Sequence, residues 1–314
     1  MSISHERRIK MTKKVIILLS SYNGADHIRE QIESILSQTY KDISLYVRDD
    51  GSTDGTVDIL NEYEKEGKLI LYKGKNVGFI KSFLWLVRHA KKADYYAYAD
   101  QDDVWLPEKI SMAVKRLDEE SPDKPLLYFS NYNLCDDDLN FIKTCDEEGL
   151  IKKPSFANAL VDCMPLGFNA VFNYKAKELI AKDTPKYSCG HDWWTYILCQ
   201  GLGKVIYDNR PTVNYRRTGH NVSPGGMSFI KFQIWRFKKF FINDYFSNCR
   251  KMLREFEYYY KDDLSENDKK VLALFTHKRY NFMAMIKKLF YPHRFRQGLF
   301  DELAVRFLFI IGKL

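Results

Sequence analysis

Three carboxylates fall within four residues in Tyr98-Ala99-Asp100-Gln101-Asp102-Asp103-Val104-Trp105. They follow directly on Tyr95-Tyr96-Ala97-Tyr98-Ala99, an apolar and aromatic run that predicts a buried strand. The acids therefore belong at the C-terminal end of that strand, the edge at which open α/β sheets bind ligands. Clustered hard oxygens there suit Mg²⁺ or Mn²⁺, which keep coordination positions open for substrate phosphates. Taken alone, the same residues also read as a solvated acidic turn. The surrounding elements decide between the two.

Val15–Leu19 is a continuous apolar run of the buried parallel-strand type, broken by Ser20-Ser21-Tyr22-Asn23-Gly24. Ile28, Ile32, Ile35 and Leu36 recur at helical spacing. Ile43–Val47 predicts a second strand, ending in Arg48-Asp49-Asp50-Gly51-Ser52-Thr53-Asp54, and Val57, Ile59, Leu60 and Tyr63 a second helix. Leu69–Tyr72 predicts a third strand. Asn76-Val77-Gly78 then opens a helix carrying Phe79, Phe83, Leu86 and Val87. The order βαβαβαβ implies a doubly wound, mostly parallel sheet, and four polar clusters then share one edge of it. Further on, Leu126–Ser130 and Gly167–Phe172 read as strands, 131–165 as irregular and acid-rich, and Lys175–Ala181 as a helix. His191-Asp192-Trp193-Trp194 opens a helix to about Gln200; Val205–Tyr207 and Thr212–Tyr215 are short strands. Beyond Gly225-Gly226 the pattern is helical: 228–260, 265–290 and 298–312.

At 314 residues the chain is long enough for about two domains. The division expected is 1–225 for the α/β domain and 226–314 for a basic, aromatic-rich helical region. Residues 1–225 carry 31 Lys+Arg against 32 Asp+Glu, whereas 226–314 carry 18 against 9. The excess positive charge thus sits in the last segment and points to an anionic surface. Six cysteines without paired spacing exclude a zinc ribbon or a disulfide framework read from sequence. No apolar leader follows the basic start, and no stretch reaches the roughly 18 apolar residues of a span. A cytoplasmic protein is expected, and Met11 is an alternative start to Met1.

Six motifs in this order resemble the family 2 glycosyltransferases, which have the GT-A nucleotide-diphospho-sugar transferase fold. They are Ser20–Gly24, Arg48–Asp54, Asn76–Gly78, Asp100–Trp105, His191–Trp194 and Tyr215-Arg216-Arg217-Thr218-Gly219-His220-Asn221-Val222-Ser223. The resemblance covers about 13–225. It implies that Tyr22 stacks on the nucleotide base beside Ser20 and Asn23, a ring face being tolerant of any pyrimidine. It implies that Asp50 accepts the N3–H of uracil or thymine, an acceptor-only group meeting a donor, while Asp49 braces the loop. Asp100 and Asp102 hold the divalent cation bridging the donor diphosphate, with Asp100 also on the nucleotide side; Asp103 is an alternate ligand or a contact to the donor sugar. Trp105 is expected to pack, and Lys109 to face phosphate or solvent. Asp192 matches the catalytic base of an inverting displacement, and it also suits the N-cap of the helix it precedes. Trp193 and Trp194 are offered as an acceptor floor, with at least one expected in the core. Relatives often carry a histidine where Thr218 stands. His220 either replaces it as third metal ligand or is an exposed loop residue. Arg216 and Arg217 suit the diphosphate.

The function implied is an inverting hexosyltransferase, with dTDP-L-rhamnose the first choice of donor and a UDP-hexose the second. The implied acceptor is a growing glycan, expected on a polyprenyl diphosphate. In 228–246, Phe229, Phe232, Trp235 and Phe240 share a helical face punctuated by Lys231, Lys238 and Lys239, the composition of an interfacial helix. Peripheral contact with the inner membrane face is expected there; helix packing or a homodimer is the alternative. A non-catalytic nucleotide-sugar or glycan-binding module on the same fold is a rival from another class. Nucleic-acid binding is not expected, because the basic residues are mixed with phenylalanine rather than set out as a polar stripe.

Overall fold

The computed structural model describes residues 12–146, 153–218 and 245–314. Four strands alternate with helices: β1 (Val15–Ser21), α1 (Ile28–Leu36), β2 (Ile43–Asp49), α2 (Thr56–Lys65), β3 (Ile70–Lys73), α3 (Phe79–His89) and β4 (Tyr95–Ala99). β1 pairs in parallel with both β2 and β4, and β2 with β3. Successive β1 side chains point to opposite faces. Val15, Ile17 and Leu19 pack with Ile28, Ile32 and Leu60 of α1 and α2, whereas Ile16 and Leu18 pack with Phe83 and Val87 of α3. The sheet is thus covered on both faces, as the continuous apolar runs require.

The second half is mixed. Short β5 (Val104–Trp105) and α4 (Lys109–Leu117) lead to β6 (Leu126–Cys135), β7 (Phe141–Thr144), α5 (Phe156–Ala159), β8 (Ala170–Asn173), α6 (Tyr174–Lys182), α7 (His191–Leu202) and β9 (Lys204–Arg216). The path across the sheet is β3-β2-β1-β4-β8-β6-β9-β5, with β7 on β6. β8 is antiparallel to β4 and β6, and β9 runs parallel to β6 and antiparallel to β5. The stretch expected to be irregular from 131 instead extends β6 to Cys135 and returns as β7. The two short strands expected at 205–215 are one strand, whose register with β6 shifts near Asn131. Gly167–Asn169 is a 3₁₀ turn rather than the start of β8.

Four more helices follow: α8 (Tyr245–Tyr260), α9 (Glu266–Ala273), α10 (Phe282–Leu289) and α11 (Leu299–Ile310). The helix expected over 265–290 is two, because the Asn281 side chain accepts the Ala284 N–H at 2.9 Å and starts α10 afresh. Met252 and Phe256 of α8, Leu272 of α9 and Phe309 of α11 share one apolar cluster with Trp194 of α7 and Phe172 of β8.

Candidate functional site

The acidic turn Asp100–Asp103 leaves β4 where the sequence places it, and α1 holds it there. Gln31, Ser34 and Gln38 are buried polar residues on one face of α1 and its C-terminal extension. The Gln31 amide donates to the Asp100 carbonyl at 2.9 Å, Ser34 Oγ accepts the Trp105 N–H at 3.0 Å, and Gln38 donates to the Leu106 carbonyl at 2.9 Å. Between the acids, the Gln101 amide accepts the Tyr22 N–H at 2.8 Å and donates to the Tyr22 carbonyl at 3.1 Å. A Cβ on Gly24 would stand 2.4 Å from that amide, so a larger residue there would displace the Gln101 side chain.

Asp100 and Asp102 are half-buried beside one another. Burial, then the charges of Asp102 and Asp192, push the Asp100 carboxyl up to about 8. Burial also raises Asp102, against the lowering effects of its own backbone N–H, His27 and Arg216. Like charges crowded in a partly dry site favour a cation. Two hard carboxylates on one turn fit a divalent ion that takes its remaining ligands from phosphate and water. Among the described residues, no group of three His, Cys, Asp or Glu side chains forms a metal cage. His220, the third ligand considered, lies outside the described residues.

Asp103 is fully buried. Its Oδ1 accepts the Arg216 N–H at 3.1 Å, and its charge acts on Lys109. Lys109 is buried too, its Nζ 4.7 Å from the Trp105 ring centre; burial brings its pKa down to about 7. It faces neither phosphate nor solvent, and Asp103 is a buried brace rather than a lining residue. Trp105 packs, as expected.

Arg216 is buried, and its guanidinium is committed within the protein: Nε donates to the Asp102 carbonyl at 2.9 Å, and the other nitrogens bond the Asp137 carbonyl and Glu30. It therefore clamps the acidic turn instead of offering a free fork to diphosphate. Arg217 is half-buried, its guanidinium 6.0 Å from the Tyr215 ring centre.

On the nucleotide side, Tyr22 is 46% exposed at the end of β1, as a stacking face requires. Asn23, with φ of 47°, accepts the Thr53 N–H at 2.8 Å and joins the first loop to the second. Asp49 accepts the Gly51 and Ser52 N–H groups at 3.0 and 2.9 Å, the loop-bracing role expected of it. Asp50 is buried against the Arg48 guanidinium and accepts the N–H groups of Val77 and Gly78 at 2.9–3.1 Å. Ser20 bonds Ser82 at 2.6 Å, and Ser82 accepts from Arg48 at 3.0 Å. One buried polar network thus links three of the strand-end loops.

Asp192 approaches from the other side. α7 begins at His191 with Gly190 as N-cap, so Asp192 lies in the first turn rather than at the cap. Its Oδ1 accepts the Trp193 N–H at 2.8 Å. Burial pushes its carboxyl up to about 6 against that stabilising contact. Its charge in turn raises Asp100, which places the two in one electrostatic site. Trp193 and Trp194 are both buried: Trp193 donates to the Ala159 carbonyl at 2.7 Å, and Trp194 packs edge-on against Phe256. Neither forms an exposed acceptor floor. Of the braces, Gln31, Ser34 and Gln38 lie in no motif, and only their polarity within a helical pattern signals them, whereas Arg48 and Gln101 stand inside two of the motifs with no role assigned there.

The description "Glycosyl transferase family 2" matches residues 16–160, which contain the first four loops of this site. Residues 16–160 thus match a family 2 glycosyl transferase domain. Over 227 residues, 67% of this chain and 75% of the relative, it is 27% identical to the dTDP-rhamnosyl transferase RfbG of Shigella flexneri. Over 118 residues it is 36% identical to the UDP-Glc:alpha-D-GlcNAc-diphosphoundecaprenol beta-1,3-glucosyltransferase WfaP of Escherichia coli. That match spans 38% of this chain and 45% of WfaP. The fold is shared with S. aureus TarS 1-349 in complex with UDP-GlcNAc (TM-score 0.61, 15% identity, 96% of this chain and 80% of that one). It is also shared with the mannosyltransferase PcManGT of Pyrobaculum calidifontis in complex with GDP-Man and Mn²⁺ (TM-score 0.53, 17% identity, 94% and 79%). The chain thus has the GT-A fold expected, with the C-terminal helices packed onto the sheet domain.

Proposed function

We propose that the chain is an inverting, metal-dependent glycosyltransferase that moves a sugar from a pyrimidine nucleotide donor to a growing glycan. The observation that carries this is Asp192, a carboxyl raised to about 6 in the same electrostatic site as the acidic turn. In its ionised form Asp192 takes the proton from an acceptor hydroxyl as that oxygen bonds to the anomeric carbon. The bond from anomeric carbon to phosphate oxygen breaks on the opposite face, which inverts the centre in one step. Asp100 and Asp102 would hold Mg²⁺ or Mn²⁺, which would supply charge to the leaving diphosphate. Arg216, Gln31 and Gln101 keep the turn in place, Tyr22 offers the base a stacking surface, and Arg217 is the arginine proposed for the diphosphate.

dTDP-L-rhamnose is the first choice of donor, on the similarity to a dTDP-rhamnosyl transferase along two thirds of this chain. The similarity to WfaP favours a second reading, a UDP-hexose donor. A polyprenyl-diphosphate acceptor at the inner membrane face agrees with the WfaP name and with the basic C-terminal region. The membrane contact expected for 228–246 falls almost wholly outside the described residues. A thermal-shift panel of dTDP, UDP, GDP and CDP with and without Mn²⁺ tests the donor site. A shift that needs both metal and a thymine or uracil nucleotide supports the reading. No shift with any nucleotide moves the chain to a binding module of other specificity.

A further inference from the structure

α11 buries one face and leaves the other uncovered. Val305, Leu308 and Phe309 are in the core, whereas Phe300, Leu303, Phe307 and Ile310 are 86, 56, 56 and 50% exposed. Their 3-4-3 spacing puts all four on one stripe of the helix. α10 adds Phe282 and Met283, each 61% exposed, and Phe290 just after it is 75% exposed. Scattered exposed apolar residues are ordinary, but a contiguous stripe of large ones marks an interaction surface.

Charge chooses the partner. Residues 277–314 hold eight Lys+Arg against Asp301 and Glu302; Arg296 is paired with Asp162 and Lys288 is buried, which leaves Lys278, Arg279, Lys287, Arg294 and Lys313 besides the bridged Arg306. Glu302 is buried and bridged to Arg306, and Asp301 is half-buried. A cavity of about 160 Å³ opens where Gly312 follows α11, lined by Arg250, Arg254, His277, Lys278 and Arg279 and by Leu314, whose main-chain oxygen accepts from Lys288 Nζ at 2.5 Å. Arg250 bonds the Lys313 carbonyl, and Arg254 bonds the carbonyls of Thr276 and His277. Those contacts orient the guanidinium groups without neutralising them. A two-fold dimer through this stripe would set the same patch against itself, bringing one basic rim to another. An anionic surface instead neutralises the rim while the stripe leaves water.

We propose that α10 and α11 form a docking surface for an anionic phospholipid bilayer. Phe300, Leu303, Phe307 and Ile310 enter the headgroup–acyl boundary, and the cationic cavity takes a lipid phosphate. The surface deepens the membrane-side placement proposed above but does not depend on transfer, so the two fail separately.

The test is co-sedimentation of the full chain with phosphatidylcholine vesicles and with vesicles containing phosphatidylglycerol, at low and high salt. The expected result is salt-sensitive binding to the anionic vesicles, weakened roughly tenfold or more by Phe300→Glu with Phe307→Glu. Lys278→Glu with Arg279→Glu should weaken it as well. Nucleotide-induced thermal shifts of both variants should stay at the wild-type value, which shows that they fold. Four results overturn the proposal: no binding to anionic vesicles, equal binding to neutral ones, or binding lost with Trp235→Glu but kept by the phenylalanine variant. The fourth is a wild-type dimer in light scattering that the phenylalanine variant splits, with no vesicle binding.

Discussion

Replacing Asp192 by asparagine separates catalysis from stability and makes both readable. The Asp192 carboxyl stands at about 6 against an ordinary 3.8, raised by burial. That rise corresponds to roughly 3 kcal/mol between folded and unfolded chains. Below the ordinary value the group is neutral in both states and costs nothing. As the pH rises from about 4 to 6, the unfolded chain releases a proton that the folded chain keeps, and folding loses stability. Above about 6 the loss is complete and constant. Asparagine keeps the oxygen that accepts the Trp193 N–H and cannot charge. Asp192→Asn should therefore melt higher than wild type at pH 7, by some 1–3 kcal/mol or several degrees. That advantage should shrink to nothing near pH 4. Transfer should fall by about 10²–10⁴-fold, while the nucleotide-induced shift persists. In the wild type, transfer should rise with pH through about 6 as the base ionises. Melting curves of both proteins across that range, with transfer measured in parallel, test the argument. A variant less stable than wild type at pH 7, or a stability difference that does not vary with pH, refutes the buried-carboxylate account. Transfer retained near the wild-type level removes Asp192 from the reaction.

Three further substitutions test the scaffold. Asp50→Ala strands the buried Arg48 guanidinium and the N–H groups that open α3; a loss of about 3–5 kcal/mol in urea unfolding is expected, and Asp50→Asn should recover part of it. Arg216→Ala frees the Asp102 and Asp137 carbonyls. It should cost about 2 kcal/mol and weaken Mn²⁺-dependent nucleotide binding in calorimetry; unchanged binding would show that the clamp does not position the turn. Gly203→Ala puts a Cβ 1.8 Å from the Pro125 carbonyl oxygen. Backbone cannot yield as a side chain does, so about 3 kcal/mol or more should be lost, and a melting temperature near wild type would contradict the packing of β9 against β6.

The first four strands were legible because β1, β2 and β4 are nearly unbroken apolar runs ending in polar clusters. β9 was not, since Asp208, Asn209 and Arg210 interrupt it just where its register with β6 slips. β6 ran past its expected end because Asn131 and Asn133 bond β7 and β9 neighbours, Asp146 and Asn214 among them, instead of opening a loop. Within the site, the carboxylates announced themselves by type and spacing, whereas Gln31, Ser34 and Gln38 looked like a polar stripe on an amphipathic helix. From sequence Arg216 suits a phosphate, because guanidinium fits phosphate as well as it fits carbonyls and carboxylates; composition does not carry which partner the fold presents.

The Gln101 amide closes on both main-chain groups of Tyr22, so the first loop and the acidic turn move as one body. The nucleotide and cation sites proposed above would then share one support. If a nucleotide at Tyr22 tightens a cation at Asp100 and Asp102 by some factor, the cation must tighten the nucleotide by that same factor. Cutting the amide should bring that factor toward one.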